Sequence, residues 1–395
     1  MAENKQNEYP NVPPLRFPEF IDEWNRGKVG DDCDIYMCKR IFADQTNDLD
    51  GVPFYKIGTI GGDPDAYISQ ELFEQYKRKY NYPKKGEVLI TCAGTVGKAI
   101  VFDGKDAYFQ DSNIVWISNP TSNLSNDFLY YFINRVDWSK LNSTTITRIY
   151  NDDLRKLKIA FPSIDEQKKI TQLFYLLDRR IAMQSKLIEQ LESLMGGIMV
   201  AHYNKCEKQV VQIKELGDYF TVKSLSKDDL TDKGYACVLY GELFTTYHCI
   251  ICEVKSKTNL TSGLTLSQSN DLLFPSSTTV DAVSLIAPSA ITIPDVVLGG
   301  DMFGLHINGR HSNVYLAFLF NYILKQRLAK YAQGSTIIHL HYKDIRNAKI
   351  EVPNLTDQLI FVELSSKVQQ KINTENSMLA NLQALKSYLL QQMFI

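Results

Sequence analysis

The chain has 395 residues, 44% of them hydrophobic and 22% charged, which is typical of a globular protein with room for two or three domains. The formal net charge of −2 excludes a chain that is basic throughout, so contacts with nucleic acid must come from local clusters or from partners. No apolar run approaches about 18 residues and the seven cysteines are scattered, which argues against membrane spans and a disulfide framework and favours a cytoplasmic protein.

The first stretch, residues 1–26, is predicted to be an arm. Its prolines fix the backbone angle φ and disfavour helix for the residue before each of them, so they favour extended backbone. These prolines are Pro10, Pro13, Pro14 and Pro18.

Residues 27–163 are predicted to form a first domain that is mixed and mostly β. Short runs of β-branched and aromatic residues alternate there with turn residues, the pattern expected of strands. The runs are Pro53–Ile57, Glu87–Thr91, Ala99–Phe102 and Ile114–Ile117, with one short helix predicted at Asp127–Val136.

Residues 164–206 predict one long amphipathic helix. Apolar side chains recur there at alternating spacings of four and three, so a narrow stripe faces one partner helix, as in a coiled coil. Gly196 and Gly197 lower the helix propensity near its end and favour an early stop. The predicted interface with the partner helix comprises Ile170, Phe174, Leu177, Ile181, Ile188 and Leu191.

The second half of the chain repeats the first. Shifting the sequence so that Asp153 falls on Asp344 also aligns Pro162 with Pro353 without a gap. Residues 207–354 are therefore predicted to be a second domain, and residues 355–395 a second long helix. Its stripe comprises Phe361, Val368, Ile372, Leu379, Leu382 and Leu389.

The predicted fold class is α+β, with two mixed, mostly β domains joined by two long antiparallel helices that form a coiled coil. Between their matching ends the two domains differ in nearly every residue. Antiparallel helices would relate the domains by a pseudo-two-fold axis. A DNA duplex has the same symmetry, so each domain can face one major groove and the two half-sites can differ.

Several motifs resemble those of type I restriction-modification specificity subunits. The strings IAFPSIDEQKKI and IEVPNLTDQLIF are similar to the element that closes each half of these subunits, where a strand ends in proline and a long helix begins. The opening VPPLRFPEF with Trp24 resembles the start of such subunits. GEVLITCAGTVGKAIVF (Gly86–Phe102) is similar to their strand-turn-strand segment. The second domain departs from this pattern, because PSSTTVDAVSLI lacks the glycines.

The resemblance implies that two target-recognition domains each read one half of a split site in double-stranded DNA. It further implies that two methyltransferase subunits dock on the helices and that restriction subunits can join. The chain itself would carry no catalytic residue and bind no metal or cofactor. S-adenosylmethionine would be held by the methyltransferase, and ATP and magnesium by a restriction subunit.

The candidate DNA contacts come from the run Gln75–Gly86, the turn Thr91–Lys98, the corresponding segment Ser276–Thr278 of the second domain and the residues before each closing strand. The run Gln75–Gly86 interleaves basic and tyrosine residues, which suit phosphates, although a solvated surface is the simpler interpretation. The turn Thr91–Lys98 fails the spacing of a phosphate-binding loop and can be an ordinary β-turn. The residues before each closing strand can equally be plain surface. The predicted contacts are Tyr76, Lys77, Arg78, Lys79, Tyr80, Tyr82, Lys84, Lys85, Thr91, Gly94, Thr95, Gly97, Lys98, Arg148, Ser276, Ser277, Thr278, His339 and His341.

Other functions remain as alternatives. Cys249 and Cys252 have the spacing of a zinc or redox pair, but no second pair follows, and a buried apolar strand is the favoured interpretation. Glu253 and Lys255 match part of a nuclease motif. The small net charge leaves room for a non-catalytic scaffold whose two domains bind protein or glycan.

Overall fold

The computed structural model describes residues 11–121, 123–140, 148–223, 225–260 and 263–395, so Pro10 lies outside the described residues. The chain divides into two compact units. Unit 1 comprises Met1–Gln184 and Met378–Ile395, and unit 2 comprises Ser185–Ser377.

Unit 1 combines small sheets with short helices. Its described strands form a four-stranded sheet, a three-stranded sheet and a two-stranded ribbon. In spatial order they are Asp34–Met37, Ile114–Ser118, Val88–Thr91 and Ala99–Val101; Tyr67–Ile68, Val52–Tyr55 and Tyr108–Phe109; and Asn25–Lys28 with Lys158–Phe161. The short α-helices are Val29–Asp32, Gln70–Lys79, Asn126–Arg135 and Asn151–Lys156.

The two longer of these helices begin at serine caps. The Ser69 hydroxyl accepts a hydrogen bond from the backbone N–H of Leu72, and the Ser125 hydroxyl accepts one from that of Phe128. Such caps satisfy backbone groups that would otherwise lack a partner in the first turn. The cap at Ser125 starts the helix at Asn126, close to its predicted start.

Unit 2 is built on the same plan with more strands. Its described strands form a five-stranded sheet, a four-stranded sheet and two ribbons. In spatial order they are Gly217–Thr221, Met302–Ile307, Asp271–Pro275, Ser289–Ile291 and Ile250–Ile251; Ser256–Thr258, Leu230–Leu239, Val297–Gly299 and Thr265–Leu266; Lys208–Gln212 with Lys349–Pro353; and Ser277–Thr278 with Ile338–His339. The short helices are Tyr240–Glu242, Ala282–Leu285, Asn313–Phe318, Lys325–Ala329 and Tyr342–Ile345, with π-helical turns at Leu243–Tyr247 and Leu319–Leu324.

In both units the strand that closes the domain pairs antiparallel with the strand that opens it. Asn25 lies opposite Phe161 in unit 1, and Lys208 lies opposite Pro353 in unit 2. Each closing strand leads directly into a long helix. The entry and exit of each domain are therefore held together at the start of that helix in both units.

The two long helices are Ile164–Lys205 and Leu355–Gln392, called the central helix and the C-terminal helix below. In unit 1 their segments run antiparallel, because Phe174 contacts Phe394 while Asp178 forms an ion pair with Lys386. In unit 2 the ring centroids of His202 and Phe361 lie 5.4 Å apart. Every residue of the two predicted stripes is buried or half-buried. The predicted α+β class with paired long helices is confirmed.

The early stop predicted at Gly196 and Gly197 is wrong, because the central helix continues to Lys205. Met195 and Met199 on either side of the glycines are buried in the core of unit 2. Each glycine costs about 1 kcal/mol of helix propensity relative to alanine, and the burial of two methionine side chains more than offsets that cost.

The arm is anchored within unit 1. Arg16 donates two hydrogen bonds of 2.7 Å to Glu166 in the first turn of the central helix, and the Glu166 side chain is 1% exposed. Trp24 is buried and donates to the same carboxylate at 3.3 Å. The backbone N–H of Leu15 donates to the carbonyl oxygen of Gln392 at 2.9 Å, so the arm contacts both long helices.

Candidate nucleic-acid interface

Three segments of unit 1 meet at the carboxyl end of the central strand Val88–Thr91. The backbone N–H of Cys92, just after this strand, donates to the carbonyl oxygen of Asn113 at 2.7 Å. The backbone N–H of Ile149 donates to the carbonyl oxygen of Cys92 at 2.9 Å. The glycine-containing turn, the turn at residues 110–113 and the segment at 148–150 therefore form one continuous surface.

Unit 2 repeats this junction with other side chains. The backbone N–H of Ser276 donates to the carbonyl oxygen of Asp301 at 2.8 Å, and that of Leu340 donates to the carbonyl oxygen of Ser276 at 2.9 Å. Ser276 thus takes the place of Cys92, Asp301 that of Asn113 and Leu340 that of Ile149. The junction is a shared feature of the two domains.

The backbone conformation repeats as well. Ser112, just before Asn113, has φ of 54°, and Gly300, just before Asp301, has φ of 93°. Such left-handed values are uncommon for residues other than glycine, so both turns need this geometry. At Gly300 a Cβ atom would lie 2.7 Å from Cδ1 of Tyr240, which leaves no room for a side chain.

The glycines of the first turn are required by packing. A Cβ atom on Gly94 would lie 2.7 Å from Cδ1 of Ile57, and one on Gly97 would lie 2.1 Å from Cδ1 of Trp138. The backbone N–H of Gly97 already donates to the carbonyl oxygen of Thr91 at 2.8 Å. This N–H is therefore not free to bind an anion.

The other predicted contacts in this turn differ in accessibility. Thr91 is fully buried and its hydroxyl donates to the carbonyl oxygen of Thr95. Lys98 is exposed, and its ammonium group donates to the carbonyl oxygen of Ile60 at 2.5 Å. Gly94 and Thr95 at the tip are exposed. The tip is thus the part of the turn that can reach a ligand.

The basic and aromatic run divides between core and surface. Tyr76 and Tyr82 pack against a hydrophobic core, and the Tyr82 hydroxyl donates to the carbonyl oxygen of Ala107 at 2.8 Å. Burial raises the pKa of Tyr82. Lys77 forms an ion pair of 2.9 Å with Asp106. The exposed cations of the run are Arg78, Lys79, Lys84 and Lys85.

Tyr80 links this run to cations that the sequence analysis did not identify. The ammonium groups of Lys39 and Lys79 each lie 5.5 Å from the centroid of the Tyr80 ring. Arg40 follows Lys39 and donates from Nε to Asp111 at 2.8 Å, in the turn before Asn113. Lys39 and Arg40 lie far in sequence from the other candidates. The only sequence signal for these two residues is that they are basic and adjacent to each other.

Arg148 contacts the turn at residues 110–113 in unit 1. Its guanidinium donates to the carbonyl oxygen of Ser112 at 3.0 Å and lies 5.9 Å from the centroid of the Tyr150 ring. The Tyr150 side chain is 59% exposed, and Phe42 near Arg40 is 58% exposed. Exposed aromatic side chains beside arginines are typical of nucleic-acid-binding surfaces.

Unit 2 carries histidines where unit 1 carries this arginine. Ser277 pairs with His339 in a short antiparallel ribbon, and the rings of His339 and His341 stack with centroids 6.0 Å apart. Ser276 and Ser277 are buried, and Thr278 is half-buried. The missing glycines have a structural consequence, because Asp281 caps a short helix at Ala282–Leu285 where unit 1 has its turn. The structure thus brings the predicted residues of unit 2 together.

The cysteines and the buried acids lie elsewhere. Cys249 is buried, and burial raises its pKa to about 12, whereas Cys252 is exposed, so only one of the pair lies in an apolar environment. Asp271 is fully buried beside His306, at the opposite end of the strand that leads to Ser276, and burial raises its pKa. In the described ranges no three His, Cys, Asp or Glu side chains cluster as metal ligands would.

Among the residues that the structure describes, no helix is both long enough and apolar enough to span a membrane.

Comparison with known proteins identifies the family. A model described as the type I restriction modification DNA specificity domain matches the chain twice, over residues 21–193 and 206–384. A putative type I restriction enzyme specificity subunit of Haemophilus influenzae is 47% identical over 172 residues, which cover 43% of this chain and 44% of that protein. The alignment with this relative therefore spans less than half of its length. A putative type I restriction enzyme specificity subunit of Methanocaldococcus jannaschii is 20% identical over 412 residues, or 94% of this chain and 95% of that protein.

Two solved structures have the same fold. The S subunit of a type I restriction-modification system from M. genitalium matches with a TM-score of 0.59 and 16% identity, over 97% of this chain and 99% of that chain. A chain from a study of complex assembly and conformational transition in a type I restriction-modification system matches with a TM-score of 0.51 and 15% identity, over 96% and 99%. The two family matches cover most of the sequence, and the chain belongs to the type I restriction-modification DNA specificity family.

Proposed function

We propose that this chain is the DNA-recognition subunit of a type I restriction-modification complex and that it reads a target made of two unlike halves. The repeated three-segment junction is the observation that carries this proposal. Its backbone hydrogen bonds recur in both units, while the side chains that it presents differ, with Arg148 in one unit and His339 in the other. A shared frame with unlike side chains suits two half-sites of unlike sequence.

The exposed cations of unit 1 supply contacts with phosphates. Arg78, Lys79, Lys84 and Lys85 lie along one run, and Lys39 joins them through Tyr80. Each phosphate neutralised by a lysine or arginine releases counterions, so binding should weaken steeply with salt. The net charge of −2 limits what this chain can supply alone, and we assign part of the DNA affinity to its partners.

The long helices supply the docking sites for partners. Leu187 and Leu194 on the central helix and Met378 and Leu385 on the C-terminal helix are large apolar side chains exposed to solvent. The two members of each pair lie seven residues apart and so share a helix face. The internal repeat places Met378 at the position of Leu187, and Leu385 at that of Leu194. One equivalent pair in each unit supports the docking of two copies of the same methyltransferase subunit.

We assign the chemistry to the partners. The methyltransferase would modify adenine with S-adenosylmethionine, and restriction subunits, where present, would use ATP and magnesium. This chain would then act by selecting the DNA sequence on which the partner works. Its contribution to the reaction is the positioning of the two target halves.

Selection from random duplexes tests this proposal. The chain is purified with its methyltransferase partner, incubated with duplexes of random sequence, and the bound fraction is sequenced. We expect two short unlike motifs at a fixed separation. The Arg148→Ala variant should relax only one motif, and the double variant His339→Ala with His341→Ala only the other. No enrichment with the partner present would contradict the proposal and favour the scaffold alternative.

A further inference from the structure

The carboxylate of Asp111 lies within the basic and aromatic surface of unit 1. Asp111 belongs to the turn at residues 110–113, next to Ser112, whose carbonyl oxygen accepts from Arg148. Its side chain is 18% exposed and accepts a hydrogen bond of 2.8 Å from Arg40, whose side chain is 59% exposed. The carboxylate is thus partly accessible to solvent and is paired with an exposed cation.

This carboxylate is not needed to form the turn. The backbone N–H of Asn113 donates to the carbonyl oxygen of Asp111 at 2.6 Å, and that of Ile114 donates to the carbonyl oxygen of Gln110 at 3.0 Å. Both bonds use the backbone alone, so they remain in a variant that lacks the side chain. The ion pair with Arg40 is largely exposed at its cationic side, a setting in which such pairs contribute little to stability.

A carboxylate in this position would be repelled by the phosphates of a DNA backbone, because both groups are negatively charged. The groups of a DNA duplex that can donate a hydrogen bond to a carboxylate in the major groove are the amino groups of cytosine and adenine. Arginine, by contrast, binds phosphates well. The two members of the pair therefore suit two different parts of the same ligand.

We propose that Asp111 reads the amino group of a cytosine or adenine in the half-site that faces unit 1, and that Arg40 releases it by turning to a phosphate when DNA binds. This inference rests on the proposed DNA recognition. In the free protein Arg40 covers the carboxylate and holds it in place. When the target binds, Asp111 accepts a hydrogen bond from the amino group of the base in place of the one from Arg40. Arg40 then pairs with a phosphate.

The test uses the complex of this chain with its methyltransferase partner and the variants Asp111→Ala and Arg40→Gln. Asp103→Ala is the matched control, since Asp103 is an acid whose contacts lie within a different turn. Thermal melting of all variants checks folding. Selection from random duplexes gives base preference, and titration of the selected duplex at several salt concentrations gives affinity and its salt dependence.

Asp111→Ala should lose base preference at one or two neighbouring positions of one motif, where discrimination should fall about tenfold or more, while the other motif stays unchanged. Arg40→Gln should weaken binding to all sequences alike and lower the salt slope by about one unit. A duplex whose base at the relaxed position lacks its amino group should bind wild type more weakly and bind Asp111→Ala unchanged. Cytosine and adenine are then placed at that position in turn, and the one that restores binding by the wild type is the base that Asp111 reads.

An unchanged motif for Asp111→Ala, with the folding check passed, would overturn this inference while leaving the proposed function intact. An equal loss of base preference in Asp103→Ala would overturn it as well, because the effect would then come from the change in net charge and not from the position of Asp111. A wild-type complex that selects no motif would overturn the proposed function and this inference together.

Discussion

The backbone N–H of Ser125 donates a hydrogen bond of 2.8 Å to the side-chain oxygen of Gln167. The amide nitrogen of Gln167 donates in turn to the carbonyl oxygen of Pro162 at 2.8 Å, at the end of the closing strand. Gln167, a buried residue of the central helix, thus joins the helix Asn126–Arg135 to the end of the strand that precedes the central helix. Unit 2 has the same arrangement, with Gln358 accepting from Ser312 and donating to Pro353, both at 2.8 Å.

The first prediction concerns these glutamines. Gln167→Ala and Gln358→Ala should each lower the free energy of unfolding by about 2–3 kcal/mol, because buried backbone groups lose their partners. Hydrogen exchange should increase only in the unit that carries the substitution. Gln172→Ala, at an exposed position of the same helix, is the control and should change little. Equal effects of Gln167→Ala and Gln172→Ala would contradict this assignment.

The arm provides a second prediction. Arg16→Ala leaves the carboxylate of Glu166, which is 1% exposed, without its cationic partner, and should destabilise unit 1 by about 3–5 kcal/mol. Lys169→Ala removes an exposed ion pair with Glu19 nearby and should cost less than about 1 kcal/mol. Urea denaturation followed by tryptophan fluorescence measures both, since Trp24 contacts Glu166. Comparable losses in the two variants would show that the arm is not anchored through Arg16.

The glycine turn provides a third prediction. Gly97 has φ of 84° and lies against Trp138, so Gly97→Ala should destabilise unit 1 by more than about 1 kcal/mol and displace the turn. Gly58→Ala is the matched control, because its added Cβ atom would meet nothing within 4 Å. Thermal unfolding measures the difference. A Gly97→Ala variant as stable as Gly58→Ala would contradict the packing described for this turn.

The exposed apolar pairs provide a fourth prediction. Replacing Leu187 and Leu194 by glutamine, or Met378 and Leu385, should remove one of two bound methyltransferase subunits, and replacing all four should remove both. The reason is that each pair would lose the apolar surface that a partner buries. Light scattering of the purified complexes gives the stoichiometry. The control variant Lys186→Gln with Ser193→Gln, on the adjacent helix face, should retain two methyltransferase subunits. If the variant with all four apolar residues replaced still bound two subunits, these docking sites would be excluded.

Much of the fold could be predicted because its signals are periodic or repeated. The stripe from Ile170 to Leu191 predicted the pairing of the long helices, since the spacing of apolar side chains follows directly from helix geometry. The repeat aligned Pro162 with Pro353, and the same alignment places Gln167 at the position of Gln358. The stop at Gly196 was wrong because local propensity carries no information about the burial of Met195 and Met199.

The candidate site was less predictable because its parts come together only in the folded chain. The sequence marked Arg148 through the repeat but could not show that Ser112 accepts its hydrogen bond. Nor could it show that Gly97 lies against Trp138, because that contact depends on packing between distant segments. Tyr82 was selected for its basic neighbours, whereas its ring packs in the core.

The measurement that tests the central claim most directly is a map of modified adenines in the DNA of cells that express this chain with its methyltransferase partner, compared with cells that lack only this chain. The account predicts a split motif with two unlike halves and a fixed gap, present only when the chain is expressed. An identical pattern of modification in both kinds of cell would contradict it.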